Sequence, residues 1–159
     1  AVASALWIIG EWCTAIHESI TGPWAVDKSH KTMLRLEVLR LLAKSFVDID
    51  LQTKLQAVHF ASKVILMLKA DPSLSELGDK EQAICEFILS TGRVDVVQDV
   101  RDRSRYESDL LQLSVGLTFD TVTLPSIPGD VSNLLSVEKA KTMLLKRKPT
   151  ASSLPFFVE

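Results

Sequence analysis

The chain has 159 residues, of which 47% are hydrophobic and 24% charged, and its net charge is −2. This balance of hydrophobic and charged residues is typical of a folded globular protein and argues against disorder. The near-neutral net charge does not indicate a protein that binds nucleic acid through an overall positive charge. Six glycines, six prolines and one tyrosine suit helices better than a sandwich of strands and turns.

The two cysteines, Cys13 and Cys85, both lie in apolar surroundings. We therefore expect reduced core thiols in an intracellular protein. The opening AVASALWIIG has no basic region before its apolar core, so it is not a signal peptide. It reads as though already inside a helix, which indicates a piece of a longer chain.

The first predicted helix contains ALWIIGEWC, residues 5–13, which is too short to cross a bilayer because a spanning helix needs about 20 apolar residues. Gly22-Pro23 ends this helix, and its apolar stripe consists of Leu6, Ile9, Cys13, Ile16 and Ile20. A buried, unpaired Glu11 would cost several kcal/mol. We expect it to reach the edge of the packing or to bond the next repeat's backbone or an arginine.

The second and third helices are predicted over 32–47 and 51–70, with the polar break DID between them. The inner face of the second is expected to contain Leu34, Val38, Leu41, Leu42 and Phe46, widened by Leu36, Leu39 and Ala43. The third carries Leu55, Val58, Ala61, Ile65 and Leu68. So short a break favours an antiparallel hairpin.

The fourth helix is predicted from Asp79, as its N-cap, to Thr91, with Gly92 closing it. Its inward residues are expected to be Ile84, Phe87 and Ile88. A fifth helix is predicted over 98–113, so the fourth and fifth form a second hairpin.

A segment with Pro125, Pro128 and Gly129 is expected to be irregular, and a sixth helix is predicted over 132–146. This helix carries Leu134, Leu135, Ala140, Met143 and Leu144. The alternating LTFDTVTL, residues 117–124, is an isolated extended candidate, which does not make a sheet. The fold class is therefore predicted to be all-α.

The hairpin starts near Thr32 and Asp79 lie about 47 residues apart, at the upper end of the period of HEAT and armadillo repeats. Several apolar faces are also too wide for a simple bundle seam. Both features favour a HEAT/armadillo-like α-solenoid, in which each hairpin is sandwiched between neighbours.

The segment HESIT begins like the zinc-protease pattern HExxH, but Thr21 stands where the second histidine is needed. Cys13 and His17 are four residues apart, yet a zinc site takes about four ligands and no second pair has suitable spacing. His30 is isolated, and His59, between Val58 and Phe60, is expected to be a satisfied structural histidine.

No nucleophile elbow or glycine-rich phosphate loop is present in the sequence. We therefore predict no catalytic, cofactor-binding or metal-binding residues, and a protein that is not an enzyme. The opposing hypothesis, a metal-dependent hydrolase, has only the failed HExxH in its favour.

RDRSR, residues 101–105, is the densest charge cluster and would suit phosphate or an acidic partner. Its interleaved acids favour a self-paired helix start, in which Asp99 and Arg101 bridge to adjacent repeats. KRK, residues 146–148, reads as a solvated basic helix end rather than a membrane contact. FVDID, residues 46–50, resembles a clathrin-binding peptide but has Phe in place of the first Leu, so an interhelix turn is expected.

Several segments, in order along the chain, resemble the β-adaptins, the large β subunits of heterotetrameric vesicle adaptors. ALWIIGEWC resembles a W-I-x-G-E segment of their trunk domain, and KSFVDIDLQTKLQ resembles one of its hairpins. QDVRDRSRY is most similar to the β subunit of adaptor-protein complex 3. AKTMLLKRKP resembles the end of the trunk, where the hinge begins.

The resemblance implies the C-terminal part of a β-adaptin trunk over 1–147 and a tail leading into a hinge over 148–159. It implies a non-enzymatic scaffold that acts in vesicle-mediated protein transport and cargo sorting, without cofactors, nucleic acid or a small-molecule substrate. The expected partners are the medium subunit most directly, the second large subunit and the small subunit. The expected location is cytoplasmic, peripheral on Golgi or endosomal membranes through the assembled complex. A fragment of another HEAT or armadillo scaffold, such as the coatomer β subunit, is the alternative.

Overall fold

The computed structural model describes residues 2–14, 28–70, 75–116 and 136–145. These residues form six helices and no strand, which confirms the all-α class for the described part of the chain. The helices are α1 (Val2–Thr14), α2 (Lys28–Ser45), α3 (Leu51–Ala70), α4 (Ser75–Arg93), α5 (Gln98–Val115) and α6 (Val137–Leu144). The extended candidate at 117–124 and the tail at 148–159 lie outside the described residues.

The helix α3 begins and ends where the sequence predicts, because its start has a strong local signal. Asp50 accepts hydrogen bonds from the Thr53 hydroxyl and, at 3.1 Å, from the Thr53 backbone N–H. These bonds satisfy a donor of the first helical turn and hold the pKa of Asp50 below its ordinary value.

The predicted bounds of α4 are wrong at its start, since the helix begins at Ser75 and Asp79 lies within its second turn. Gly78 is a buried helical residue, and a Cβ added to it would lie 3.6 Å from Leu68 Cδ2. The glycine therefore belongs to the helix contact with α3 and not to a preceding loop.

Gly92 does not close α4 with a left-handed residue, contrary to the prediction. The helix continues to Arg93, and Gly116 is the described glycine with positive φ, at 68°. Gly116 closes α5 by donating its N–H to the Gln112 carbonyl. Gly92 instead allows a close approach, because a Cβ there would lie 2.1 Å from Ser104 Oγ.

The other helices differ modestly from their predicted bounds. The helix α2 begins four residues before Thr32 and ends at Ser45, and α5 extends two residues beyond Leu113. The sixth helix begins at Val137 and not at Ser132 as predicted, because Ser136 has an extended backbone and its Oγ caps α6 by accepting from Lys139 N–H at 3.2 Å. The continuation of the first helix beyond Thr14 lies outside the described residues.

The predicted pairing of α4 with α5 is confirmed as a packed pair, but α2 packs on α4 and not closely on α3, so the predicted α2–α3 hairpin is not a closely packed pair. The helix α3 lies between α1 and α5, while α2 packs on α4, and α4 also contacts α3 and α5. The core contains fully buried residues from α2 to α5, such as Leu39, Ile65, Ile88 and Leu111. Each inner helix therefore buries more than one face, which is how an α-solenoid is stabilised.

Candidate functional site

Glu11 of α1 is paired with Lys63 of α3. Glu11 is the carboxylate in the middle of the apolar segment ALWIIGEWC. The lysine side chain is 2% exposed and the glutamate 25%. The expectation that Glu11 meets a partner is thus confirmed, and the partner described is a lysine of α3. The pair ties α1 to α3 at the edge of the packing, where the carboxylate remains partly hydrated.

Arg35 of α2 forms a fully buried ion pair with Glu81 of α4. Its Nε donates to Glu81 Oε1 at 2.8 Å and its Nη2 to Oε2 at 2.7 Å, and Nη1 lies 3.6 Å from Met67 Sδ. The two side chains are 3% and 0% exposed. This two-point geometry is the one for which a guanidinium is best suited.

Lys54 of α3 joins the two interhelix turns. Its Nζ lies 2.7 Å from Asp95 Oδ2 and 5.8 Å from the centroid of the Phe46 ring. Asp95 Oδ1 accepts from Val97 N–H at 2.9 Å, so both carboxylate oxygens are bonded. Burial raises the pKa of Asp95, but the bonds from Lys54 and Val97 outweigh burial and leave that pKa below its ordinary value.

His59 of α3 is a structural histidine, as the sequence predicts. Its Nδ1 lies 3.0 Å from Oε1 of Glu107, a fully buried carboxylate of α5 to which the ring N–H donates. Arg103 Nη1 lies 3.6 Å from the same oxygen. The arrangement ties α3 to α5 through the imidazole of His59.

These cross-helix pairs follow the repeat. Arg35 and Glu81 are 46 residues apart, and His59 and Glu107 are 48 apart, close to the predicted period of about 47. Equivalent positions of the two hairpins therefore face each other with opposite charge. In the pairs that α3 makes, it supplies only the bases, Lys54, His59 and Lys63, and its neighbours only the acids. Sequence reasoning missed these pairs, although opposite charges at the repeat spacing were a usable signal.

The RDRSR cluster is self-paired, as predicted, but it does not bridge to another repeat through Arg101. Arg101 Nη1 donates to the backbone carbonyls of Asp95 and Val96, at 2.7 and 2.9 Å, in the turn just before its own helix. Arg105 Nη1 lies 4.0 Å from Asp102 Oδ1, and Ser104 is fully buried against Gly92. These carbonyls lie only six and five residues before Arg101 in the chain, so the guanidinium reaches them more readily than a group on a neighbouring hairpin.

Other motifs give no chemical site in the described residues. The structure does not describe HESIT, KRK or the side chains of His30 and Cys13. FVDID forms the turn between α2 and α3, with Phe46 buried, as expected.

Within the described ranges, no three His, Cys, Asp or Glu side chains are grouped so that they would hold a metal ion. Cys85 is a fully buried thiol, and burial raises its pKa well above the ordinary value.

Several residues predicted to face the core are exposed instead. Leu41 of α2 is 66% exposed and Phe87 of α4 is 54% exposed, and Leu34 and Met143 are 42% and 48% exposed. The inner face of α2 is formed by Leu36, Leu39 and Leu42, with Phe46 buried just beyond the helix end, and Arg35 is buried with them where its guanidinium reaches Glu81.

Leu41 and Phe87 are separated by 46 residues, the same separation as Arg35 and Glu81, so they occupy equivalent positions of adjacent helices. Val47 and Val94, in the turns that follow, are 72% and 78% exposed and lie 47 residues apart, one more than Leu41 and Phe87. We call these four residues the apolar ladder. Contiguous exposed apolar patches mark surfaces that contact other proteins, which makes these four repeated positions a candidate contact surface.

No family model matches the chain. Over 149 residues, 94% of its length, the chain is 28% identical to AP-3 complex subunit beta-2 of Mus musculus and 28% identical to AP-3 complex subunit beta-1 of Homo sapiens. It is 22% identical over 112 residues, 63% of its length, to AP-3 complex subunit beta of Schizosaccharomyces pombe. The chain is similar to AP-3 β subunits.

The aligned region covers 10% of each mammalian AP-3 β subunit and 15% of the fission-yeast protein, so the chain spans about a tenth of the length of the mammalian relatives. The resemblance to β-adaptins, and to AP-3 β among them, is thereby confirmed. None of the described helices combines the length and apolar character needed to span a bilayer.

Proposed function

We propose that this AP-3 β-like chain is a non-enzymatic scaffold segment of the β subunit of a heterotetrameric vesicle adaptor. Its role is to hold partner subunits during vesicle-mediated protein transport and cargo sorting. The observation that supports the proposal most directly is the similarity to AP-3 β subunits over 94% of the chain. The ion-paired stack of helices suits a protein that holds others in fixed positions.

The proposed partners are a medium subunit, in direct contact, together with a second large subunit and a small subunit. The assembled complex is proposed to associate peripherally with Golgi or endosomal membranes from the cytoplasm. The residues 1–147 are proposed to be the C-terminal part of the trunk, and 148–159 to lead into the hinge.

The first test is recovery of the tagged full-length protein from its own cells, with quantitative mass spectrometry of what accompanies it. Recovery of a second large subunit, a medium subunit and a small subunit in equal amounts is expected. Recovery of the coatomer subunits instead would indicate that the chain belongs to a coatomer β subunit and not to an adaptor. Recovery of neither set would contradict both.

The second test asks whether the apolar ladder contacts the medium subunit. Leu41→Asp with Phe87→Asp, in the full-length protein, is expected to lower recovery of the medium subunit at least tenfold while leaving the helical content unchanged, since both side chains are exposed. Tyr106→Asp is the control, because Tyr106 is an exposed ring, at 58%, on α5 outside the ladder. Unchanged recovery in the double variant would remove the ladder from the interface without affecting the first test.

A further inference from the structure

The helix α6 is attached to the stack differently from the other described helices. Each of α1 to α5 takes part in an ion pair with another helix, through Glu11, Arg35, Lys63, Glu81 or Glu107. The described polar contacts of α6 are all internal. They are the Ser136 cap, the Lys141–Glu138 pair at 2.7 Å and the bond from the Thr142 hydroxyl to the Glu138 carbonyl.

The contact of α6 with the stack is therefore an apolar stripe. Ala140 and Leu144, four residues apart on one face, are 1% and 5% exposed and belong to the hydrophobic core. The helix approaches both α3 and α5, so this face lies over the groove between them. Outside this stripe, Glu138, Lys139 and Met143 are exposed.

A helix of eight residues is too short to be stable alone in water, so α6 is helical because it is docked. Releasing it breaks no described ion pair and no described hydrogen bond to another helix. Segments with few buried contacts are the first to open in a folded protein. Docking and helix formation of α6 therefore form one local equilibrium.

We propose that α6 is a displaceable latch over the groove between α3 and α5, and that the open groove accepts an amphipathic helix of a partner protein. The occupant we infer has a small residue followed four positions later by leucine, with a polar outer face. The basis for this pattern is α6 itself, whose Ala140 and Leu144 already fill the groove. This inference does not depend on the proposed adaptor function.

The latch is tested by hydrogen exchange with mass spectrometry on the full-length protein. In the wild type, the α6 amides are expected to exchange at least tenfold faster than those at the centres of α3 and α5. Ala140→Asp places a charge on the buried face and is expected to speed α6 exchange at least tenfold more, with α3 and α5 unchanged. Lys139→Asp, one residue away and exposed, is the matched control and should leave α6 exchange at the wild-type rate. Loss of protection throughout α3 and α5 in Ala140→Asp, or unchanged α6 exchange, would overturn the proposal.

The groove is tested with a fluorescent synthetic peptide of residues 136–145. It is expected to bind the full-length Ala140→Asp protein at least tenfold more tightly than the wild type, whose groove is occupied by α6. A peptide with the same Ala-to-Asp change is expected not to bind. Equal binding to both proteins, or no binding to the Ala140→Asp protein, would contradict a helix-accepting groove.

Discussion

Arg35 of α2 and Glu81 of α4 are joined by two hydrogen bonds of 2.8 and 2.7 Å in a part of the core that water does not reach. The two residues are 46 positions apart, so the bond connects equivalent places in consecutive hairpins. A buried pair of this kind contributes little net stability over apolar residues, but it strongly disfavours any stacking that separates the charges. It therefore specifies which turn of α2 meets which turn of α4.

Removing one member of this pair is predicted to be far more damaging than removing both. Arg35→Met or Glu81→Leu alone leaves a buried charge without its partner and is expected to lower the free energy of unfolding by about 3–5 kcal/mol. The double variant is expected to recover most of that loss. Urea unfolding of the four proteins, followed by circular dichroism, measures the coupling. Additive effects of the two single changes would show that the pair does not act as a unit.

The contact between α4 and α5 at Gly92 predicts a strong effect of one methyl group. A Cβ there would lie 2.1 Å from Ser104 Oγ and 3.3 Å from Val58 Cγ2. We expect Gly92→Ala to lower the free energy of unfolding by about 1–3 kcal/mol through overpacking. Gly78→Ala is the matched control, because its nearest neighbour, Leu68 Cδ2, is at an ordinary 3.6 Å and alanine favours a helix by about 1 kcal/mol. Equal effects of the two changes, in thermal unfolding, would contradict the close-approach role of Gly92.

The Lys54–Asp95 pair predicts a dependence of stability on pH. The pKa of Asp95 is lowered on folding from 3.8, so its stabilisation is present above that pH and is lost as the pH falls through the lower, folded value. Asp95→Asn is expected to cost about 3 kcal/mol at pH 7, because Lys54 is left buried and unpaired. The difference from the wild type should shrink only below about pH 4. Urea unfolding at pH 7, 5 and 3 checks this, and a constant difference would assign the loss to packing instead.

The Glu11–Lys63 pair predicts unequal effects of its two halves. Glu11→Gln leaves the lysine charge, 2% exposed, beside a neutral amide, and we expect a loss of about 2 kcal/mol in the free energy of unfolding. Lys63→Met keeps an apolar stem of similar length and leaves Glu11, 25% exposed, in contact with water, so the expected loss is below about 1 kcal/mol. Chemical unfolding of both variants tests the order, and a larger loss for Lys63→Met would reverse the assignment of the buried charge.

The sequence alone predicted the helices where local signals are strong. The polar break DID and the apolar period predicted both ends of α3, although not the cap that Asp50 supplies. The spacing of hairpin starts predicted the repeat that the ion pairs at 46 and 48 residues follow. Prediction was poorer for α4, where Asp79 offered a local cap. The packing of Gly78 against Leu68 of α3 favours a start of α4 before Asp79. That contact joins residues of two helices and has no local signal in the sequence.

By itself, the sequence determined the all-α class, the solenoid period and the resemblance to β-adaptins, since each depends on residue types and their spacing along one chain. Only the tertiary structure decided which apolar residues are buried. Leu41 and Phe87 are apolar and have the helical spacing of core residues, but α2 and α4 meet through the faces that carry Arg35 and Glu81, and these two apolar side chains are left exposed. A helix has one orientation in the stack, and contacts between residues far apart in the sequence select it.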